Sequence, residues 1–146
     1  MRIRSILPLS AILLAAPAAA KPPREQSPAP RDVLAEVGLG NSDQELARAA
    51  AAADAHPLGT PQNPVRVGGP AGERAYLARL RCADGSPPAI GARRSAGVAA
   101  FGSVAGLYSL DCGAAAPGKS ELVMDMYHDE HVEVRAPAGF RIEPVR

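Results

Sequence analysis

Arg74-Ala-Tyr-Leu-Ala-Arg-Leu-Arg-Cys82 is the stretch on which the fold turns. Tyr76, Ala78, Leu80 and Cys82 fall on alternate positions while Arg79 and Arg81 take the other face, the pattern of a half-buried strand with one wet side. Helical spacing also suits Tyr76, Leu77 and Leu80, and short apolar runs are ambiguous in this way. Strand is the preferred reading. Gly106-Leu-Tyr-Ser-Leu-Asp-Cys112 repeats the alternation through Tyr108, Leu110 and Cys112, so the two cysteines of the chain each end a short apolar strand.

Working outward, Glu121 to Tyr127 reads as a third main strand with Leu122, Met124 and Met126 on one face. Val65-Arg-Val67 is a candidate short strand, Ser95 to Phe101 an interrupted one, and Pro137 to Ile142 a short edge segment. Gly68-Gly-Pro-Ala-Gly72 and Ala83-Asp-Gly-Ser-Pro-Pro88 read as turns from their glycine and proline content. His128 to Val134 reads as a solvated connection. The best helix signal is Ser42-Asp-Gln-Glu45, with capping-box spacing, followed by the alanine-rich run to Ala55. Alanine buries little area, so this helix is expected at the periphery. A shorter helix is expected over Asp32 to Val37.

The N-terminal stretch reads as a secretory leader. Arg2 and Arg4 precede an apolar run from Ile6 to Ala16, and Ala18-Ala19-Ala20 places small residues before Lys21. The run is too short to cross a membrane, so no integral membrane segment is expected after cleavage. Lys21 to Arg31 is a proline-rich tether. The expected organisation is therefore residues 1–20 leader, 21–31 tether, 32–56 helical segment and 57–146 a disulfide-linked β-rich domain. The fold class is α+β, a small antiparallel sheet of three to five strands with one or two N-terminal helices. Export to the periplasm or beyond makes a Cys82–Cys112 disulfide the natural state of the cysteine pair, stabilising by roughly 3–4 kcal/mol in the chain-entropy picture.

Composition narrows the function classes. The 146-residue chain carries a formal net charge of +1, which becomes −1 when Arg2 and Arg4 leave with the leader. A balance this close to neutral gives no electrostatic reason to expect nucleic acid as partner. With no Trp, three Tyr and two Phe, the core is expected to be thin.

Asn63-Pro-Val-Arg66, Gly72-Glu73, Tyr76 to Cys82 with Asp84-Gly85, Tyr108 to Cys112, Asp125-Met-Tyr-His128 and Pro137 to Phe140 together resemble a group of small exported proteobacterial proteins with no assigned function. The resemblance spans roughly residues 57–142. It implies one exported domain with the cysteine pair as a fixture, and it transfers no catalytic residue.

Three constellations carry chemistry. Asp125-Met-Tyr-His-Asp-Glu-His-Val-Glu133 contains mixed nitrogen and oxygen ligands, and His128, His131, Asp125 and Glu130 form the candidate set for a divalent metal such as zinc. The order His-Asp-Glu-His is not the zincin pattern. Arg79, Arg81, Arg93 and Arg94, with Arg66 and Arg74, form a second set. If Arg79 and Arg81 share a sheet face and the Arg93-Arg94 loop folds over it, their forks suit a carboxylate or phosphate. Charge that keeps an exposed face soluble explains the same arginines. Third, serines and histidines suited to hydrolase chemistry are present, but none sits in a Gly-x-Ser-x-Gly elbow, and no Walker or dinucleotide motif occurs.

The expected function is non-enzymatic: an exported protein, with no cofactor, that binds an envelope protein or a small anionic ligand through a sheet face or the His128 loop. The competing expectation is a metal-binding protein or metal-dependent hydrolase using His128 to Glu133.

Overall fold

The computed structural model describes residues 43–145. The expected leader, the tether, the Asp32 to Val37 helix and the Ser42 cap lie outside the described residues.

Among the described residues two helices and eight strands follow in chain order: α1 (Asp43–Ala53), β1 (Val65–Gly68), α2 (Gly69–Arg79), β2 (Leu80–Arg81), β3 (Ala89–Ile90), β4 (Arg94–Val98), β5 (Val104–Asp111), β6 (Lys119–Asp125), β7 (Tyr127–Val132) and β8 (Arg141–Ile142). Six strands form one sheet in the order β3-β5-β6-β1-β7, with β4 also paired to β5, while β2 and β8 make a separate ribbon. The class is α+β, as expected. The details differ: the sheet is larger than three to five strands, it is mixed rather than antiparallel, and α2 lies in the middle of the described chain rather than at its N-terminal end.

The first difference arises in the deciding stretch. Arg74 to Arg79 belongs to helix α2, and strand begins only at Leu80. Glu73, Tyr76, Leu77 and Leu80 are buried while Ala78 is exposed, which is a helical stripe and not an alternation. Gly68 to Gly72, read as a turn, is the start of this helix. Pro70 suits the first helical turn because its missing N–H is needed by no carbonyl there. Gly69 takes φ +61° to turn the chain out of β1, and its N–H donates to the Met126 carbonyl at 2.7 Å. A Cβ on Gly72 would stand 3.0 Å from the Cβ of Val67, so glycine lets α2 lie close on β1.

The second difference concerns β1 and β6. They run parallel, Val65 beside Met124 and Arg66 beside Asp125. A helix and several strands separate them in sequence, so no hairpin dictates an antiparallel pairing. β1 thus becomes a central strand between β6 and β7.

The third is the segment after Asp125. His128 to Val134, expected as a solvated connection, is largely strand β7, attached to β1 at Val67–Val132 and Gly68–Tyr127 with a register break between these two pairs. Edge strands accommodate charge, and this one carries Asp129, Glu130 and two histidines.

β1, β4, β5 and β6 lie where their sequence patterns place strands, whereas β3 has no such pattern and β8, expected at the sheet's edge, pairs with β2 apart from it. β5 and β6 pair over six residue pairs from Gly106–Met124 to Asp111–Lys119. β4 carries its bulge between Ser95 and Gly97, and Gly97 takes φ +77°. α1 is peripheral, with Ala53 buried and most of its residues exposed or half-exposed. The core is one cluster of Val65, Val67, Tyr76, Leu77, Leu80, Tyr108, Leu110, Leu122 and Met124 between α2 and one sheet face. Cys82 and Cys112 are bonded, with Cα atoms 5.8 Å apart, tying the end of β2 to the end of β5. No helix among the described residues is long and apolar enough to cross a membrane.

Candidate functional site

Strand alternation turns the opposite set of side chains away from α2. Arg66 of β1, Leu107, Ser109 and Asp111 of β5, and Lys119, Glu121, Val123 and Asp125 of β6 share this outer face. Its two ends are built differently.

At one end the face is closed. Asp125 is fully buried and accepts hydrogen bonds from Ser103 Oγ and from the Tyr127 N–H, the latter at 3.1 Å. His128 Nε2 lies 3.5 Å from Asp125 Oδ2, near enough to feel its charge but outside hydrogen-bond geometry. Burial pushes the Asp125 carboxyl up, but His128, Ser103 and the Tyr127 N–H outweigh it and hold the group below the usual aspartate range. Phe101 covers the pair, its ring edge-on to His128 at 4.9 Å between centroids. The Arg66 guanidinium lies 5.5 Å from the centre of the same Phe101 ring. His131, half-buried, has its Nε2 3.6 Å from Glu133 Oε2. Burial first, and then the positive charge of Arg66, push the His131 imidazole down.

Glu133 is buried and gripped by its own neighbour. Arg135 donates from Nε and Nη2 at 3.0 Å each, and its backbone N–H adds a third bond at 3.0 Å. Burial alone raises the Glu133 carboxyl, but these Arg135 contacts bring it down to about 2. Arg135 also bridges to Asp54 at 3.0 Å, tying this end to the residue just past α1.

The other end is open. Asp111 and Lys119 stand side by side across β5 and β6, as do Ser109 and Glu121 one step along. Ala89 pairs with Asp111, and the Gly91 N–H donates to the Ser109 carbonyl at 2.8 Å. Bordered by Ala89 and Ile90 of the third strand and by Gly91 beyond it, a groove of about 600 Å³ opens over these side chains. Arg94 lies along it and donates to Glu121 at 2.9 Å and to Ser109 at 3.3 Å. Asp111 caps the next turn through the Gly113 N–H at 2.8 Å. The Lys119 side chain has no hydrogen bond or ion pair with another described residue.

The candidate metal residues are thus drawn near one another only in part. Asp125 and His128 meet, His131 lies beside Glu133, and Glu130 is exposed on β7. Among the described residues no group of three or more His, Cys, Asp or Glu is placed to hold a metal ion.

The four arginines are not brought together. Arg79, at the end of α2, donates to the carbonyls of Glu133 and Glu143 at 2.6 and 3.1 Å. Arg81 forms a two-point pair with Glu143 at 3.1 and 2.7 Å. Arg93 lies over Gly106 on the core face and bonds both Glu73 oxygens at 3.2 Å, while Arg94 belongs to the outer groove.

Sequence reading passed over Glu73, the buried carboxylate that holds Arg93 and accepts from the Tyr108 hydroxyl at 2.9 Å. Burial, followed by the Glu73 hydrogen bond and charge, pushes Tyr108 up to about 12. The visible signal was position: Glu73 is three residues before Tyr76, on the same helical stripe. Ser103, Phe101 and Arg135 were also missed as partners.

No protein-family model, no curated protein and no solved structure matches the chain.

Proposed function

We propose that this is an exported, non-enzymatic binding protein of the cell envelope, and that the open end of the outer sheet face is its docking surface. The observation that carries the reading is the groove over Ser109, Asp111, Lys119 and Glu121, floored by two paired strands and bordered on β3 by Ala89 and Ile90. Lys119 is the charge in it that no described neighbour engages. Asp111 and Glu121 are already turned to the Gly113 N–H and to Arg94. The complementary occupant is an extended segment of an envelope protein that sets a carboxylate on Lys119. The leader-like segment before Lys21 and the resemblance to small exported proteins support the location. So does the Cys82–Cys112 disulfide, a bond that persists where thiols are oxidised.

The test is site-specific photo-crosslinking in the exporting cells, with the photoreactive residue at Ser109 or, as a control on the helix side, at Arg74. A discrete adduct from position 109 that Lys119→Glu suppresses, with none from position 74, is the expected result. Equal labelling from both positions, or a position-109 adduct indifferent to Lys119→Glu, would remove the groove from consideration.

A further inference from the structure

The large sheet has two outer edges, and they are guarded differently. β7 makes one of them and carries Asp129, Glu130 and His131, charges that discourage a foreign strand from pairing there. β3 and β4 make the other. Its β3 part, beside the groove, reads Ala89-Ile90-Gly91-Ala92 without a charge, and every residue from Ala89 to Ser95 is exposed. The two arginines that follow do not guard this edge, because Arg93 turns back to Glu73 and Arg94 to Glu121. Further along, the bulge between Ser95 and Gly97 interrupts β4, so the regular part of the edge is the β3 stretch.

The backbone of this stretch has groups to offer. Ala89 pairs with Asp111, and the Gly91 N–H donates to the Ser109 carbonyl at 2.8 Å, so both residues turn toward β5. Ladder bonds alternate along an antiparallel strand, so the N–H and C=O of Ile90 point out of the sheet. Among the described residues no strand pairs with β3 on that side. Ile90 itself, paired with Leu110 and 45% exposed, offers an apolar neighbour to a strand laid beside it.

We propose that the partner segment binds by strand addition: it extends the sheet at β3, bonds the outward N–H and C=O of Ile90, and lays a glutamate across the groove to Lys119. This rests on the groove being the docking surface and adds the mode of binding and the chemistry of the occupant. Main-chain bonds to a sheet edge supply affinity in such complexes, and alternate side chains supply specificity. Neighbouring strands lie about 4.8 Å apart, so the added strand runs three spacings, roughly 14 Å, from β6. Ala89 and Gly91, which border Asp111 and Ser109, are small and leave that span open. Closing it takes the extended Lys119 and a long acidic side chain, which favours glutamate over aspartate.

The test adds substitutions at Ile90 to photo-crosslinking from Ser109 in the exporting cells. Ile90→Pro removes the outward N–H and no bond to β5, and Ala89, which then precedes a proline, already has the extended backbone that this requires. The adduct is expected to fall at least about fivefold while the melting temperature of the purified protein is kept. Ile90→Ala, which keeps the N–H, should retain more of the adduct than Ile90→Pro. An undiminished adduct in Ile90→Pro, or an equal loss in both variants, would leave the groove as the docking surface but overturn strand addition. No adduct from Ser109 in the unaltered protein would remove groove and edge together. An adduct of twice the chain's mass would make the occupant a second copy of this chain and overturn the proposal. Should Ile90→Pro fail to fold, hydrogen exchange on the purified adduct decides. There the Ile90 N–H should exchange at least about tenfold more slowly than in the free protein, and equal rates overturn the proposal.

Discussion

The two ends of the outer sheet face are made from the same two strands and yet are held in opposite ways. Toward Asp125, β5 and β6 present Ala105, Val123 and Asp125, all buried, under Phe101, Ser103 and His128. Toward Asp111 the same strands present Ser109, Lys119 and Glu121, all exposed. The closed end is ordered by packing and by buried charge. The open end has little packing above it, and beyond its strand pairing the disulfide ties it one residue past Asp111. A surface meant to receive a partner needs a rigid floor with nothing on top, and a covalent tie supplies rigidity without covering the face.

Removing that tie is expected to have the largest effect. Cys82→Ala with Cys112→Ala opens a loop whose ends are 30 residues apart, which should cost about 3–4 kcal/mol in denaturant unfolding. Amide exchange should quicken more at residues 109–111 and 119–121 than at 123–125. Equal acceleration at both ends would break the comparison, because the disulfide would then serve the domain as a whole.

The closed end is tested next through pH. Glu133 has a folded pKa of about 2 against an ordinary value of 4.5. A carboxyl depressed on folding stabilises the protein at pH values above its unfolded pKa and loses that contribution as pH falls through the folded value. Stability should therefore decline between about pH 4.5 and pH 2, by roughly 2–3 kcal/mol from this group. Glu133→Gln should be less stable at pH 7 and show a flatter acid limb in urea unfolding followed by circular dichroism. An unchanged acid limb would mean that the Arg135 grip contributes little to holding the closed end.

How much of this was legible beforehand follows from the distance between partners. β5 and the body of β6 were readable because Tyr108, Leu110, Leu122, Met124 and Met126 recur at every second position in each run, with Ser109, Asp111, Glu121 and Asp125 among the intervening residues. The stretch Arg74 to Cys82 was misread because Tyr76 and Leu80 satisfy both periods. Glu73 and Pro70 broke the tie, and neither counts in a scan for apolar positions. β7 was hidden by its charge, since an edge strand on a mixed sheet carries no apolar alternation to detect. At the site, Asp125, His128 and His131 stood out by residue type, but Arg66, Phe101 and Ser103 approach them only through the fold. The arginines show the same limit: Arg93 finds Glu73 across 20 residues, Arg94 finds Glu121 across 27, and Arg81 finds Glu143 across 62.

The smallest expected effect on stability belongs to the open end, and it sharpens the comparison most. Arg94 and Glu121 form an ion pair with both side chains more than half exposed. Exposed pairs of this kind contribute little, so Glu121→Ala should change the unfolding free energy by less than about 0.5 kcal/mol. Its effect on the groove should be larger than its effect on the fold. Losing Glu121 frees Arg94 beside Lys119 and turns a balanced groove into one with two uncommitted cations. Crosslinking from Ser109 to a partner carrying a carboxylate should then strengthen several-fold, and the gain should fade as salt screens it. A substitution silent in melting but loud in crosslinking is what an exposed docking floor predicts. A large loss of stability from Glu121→Ala would instead show that the open end is held by its charges, and the distinction between the two ends would fail.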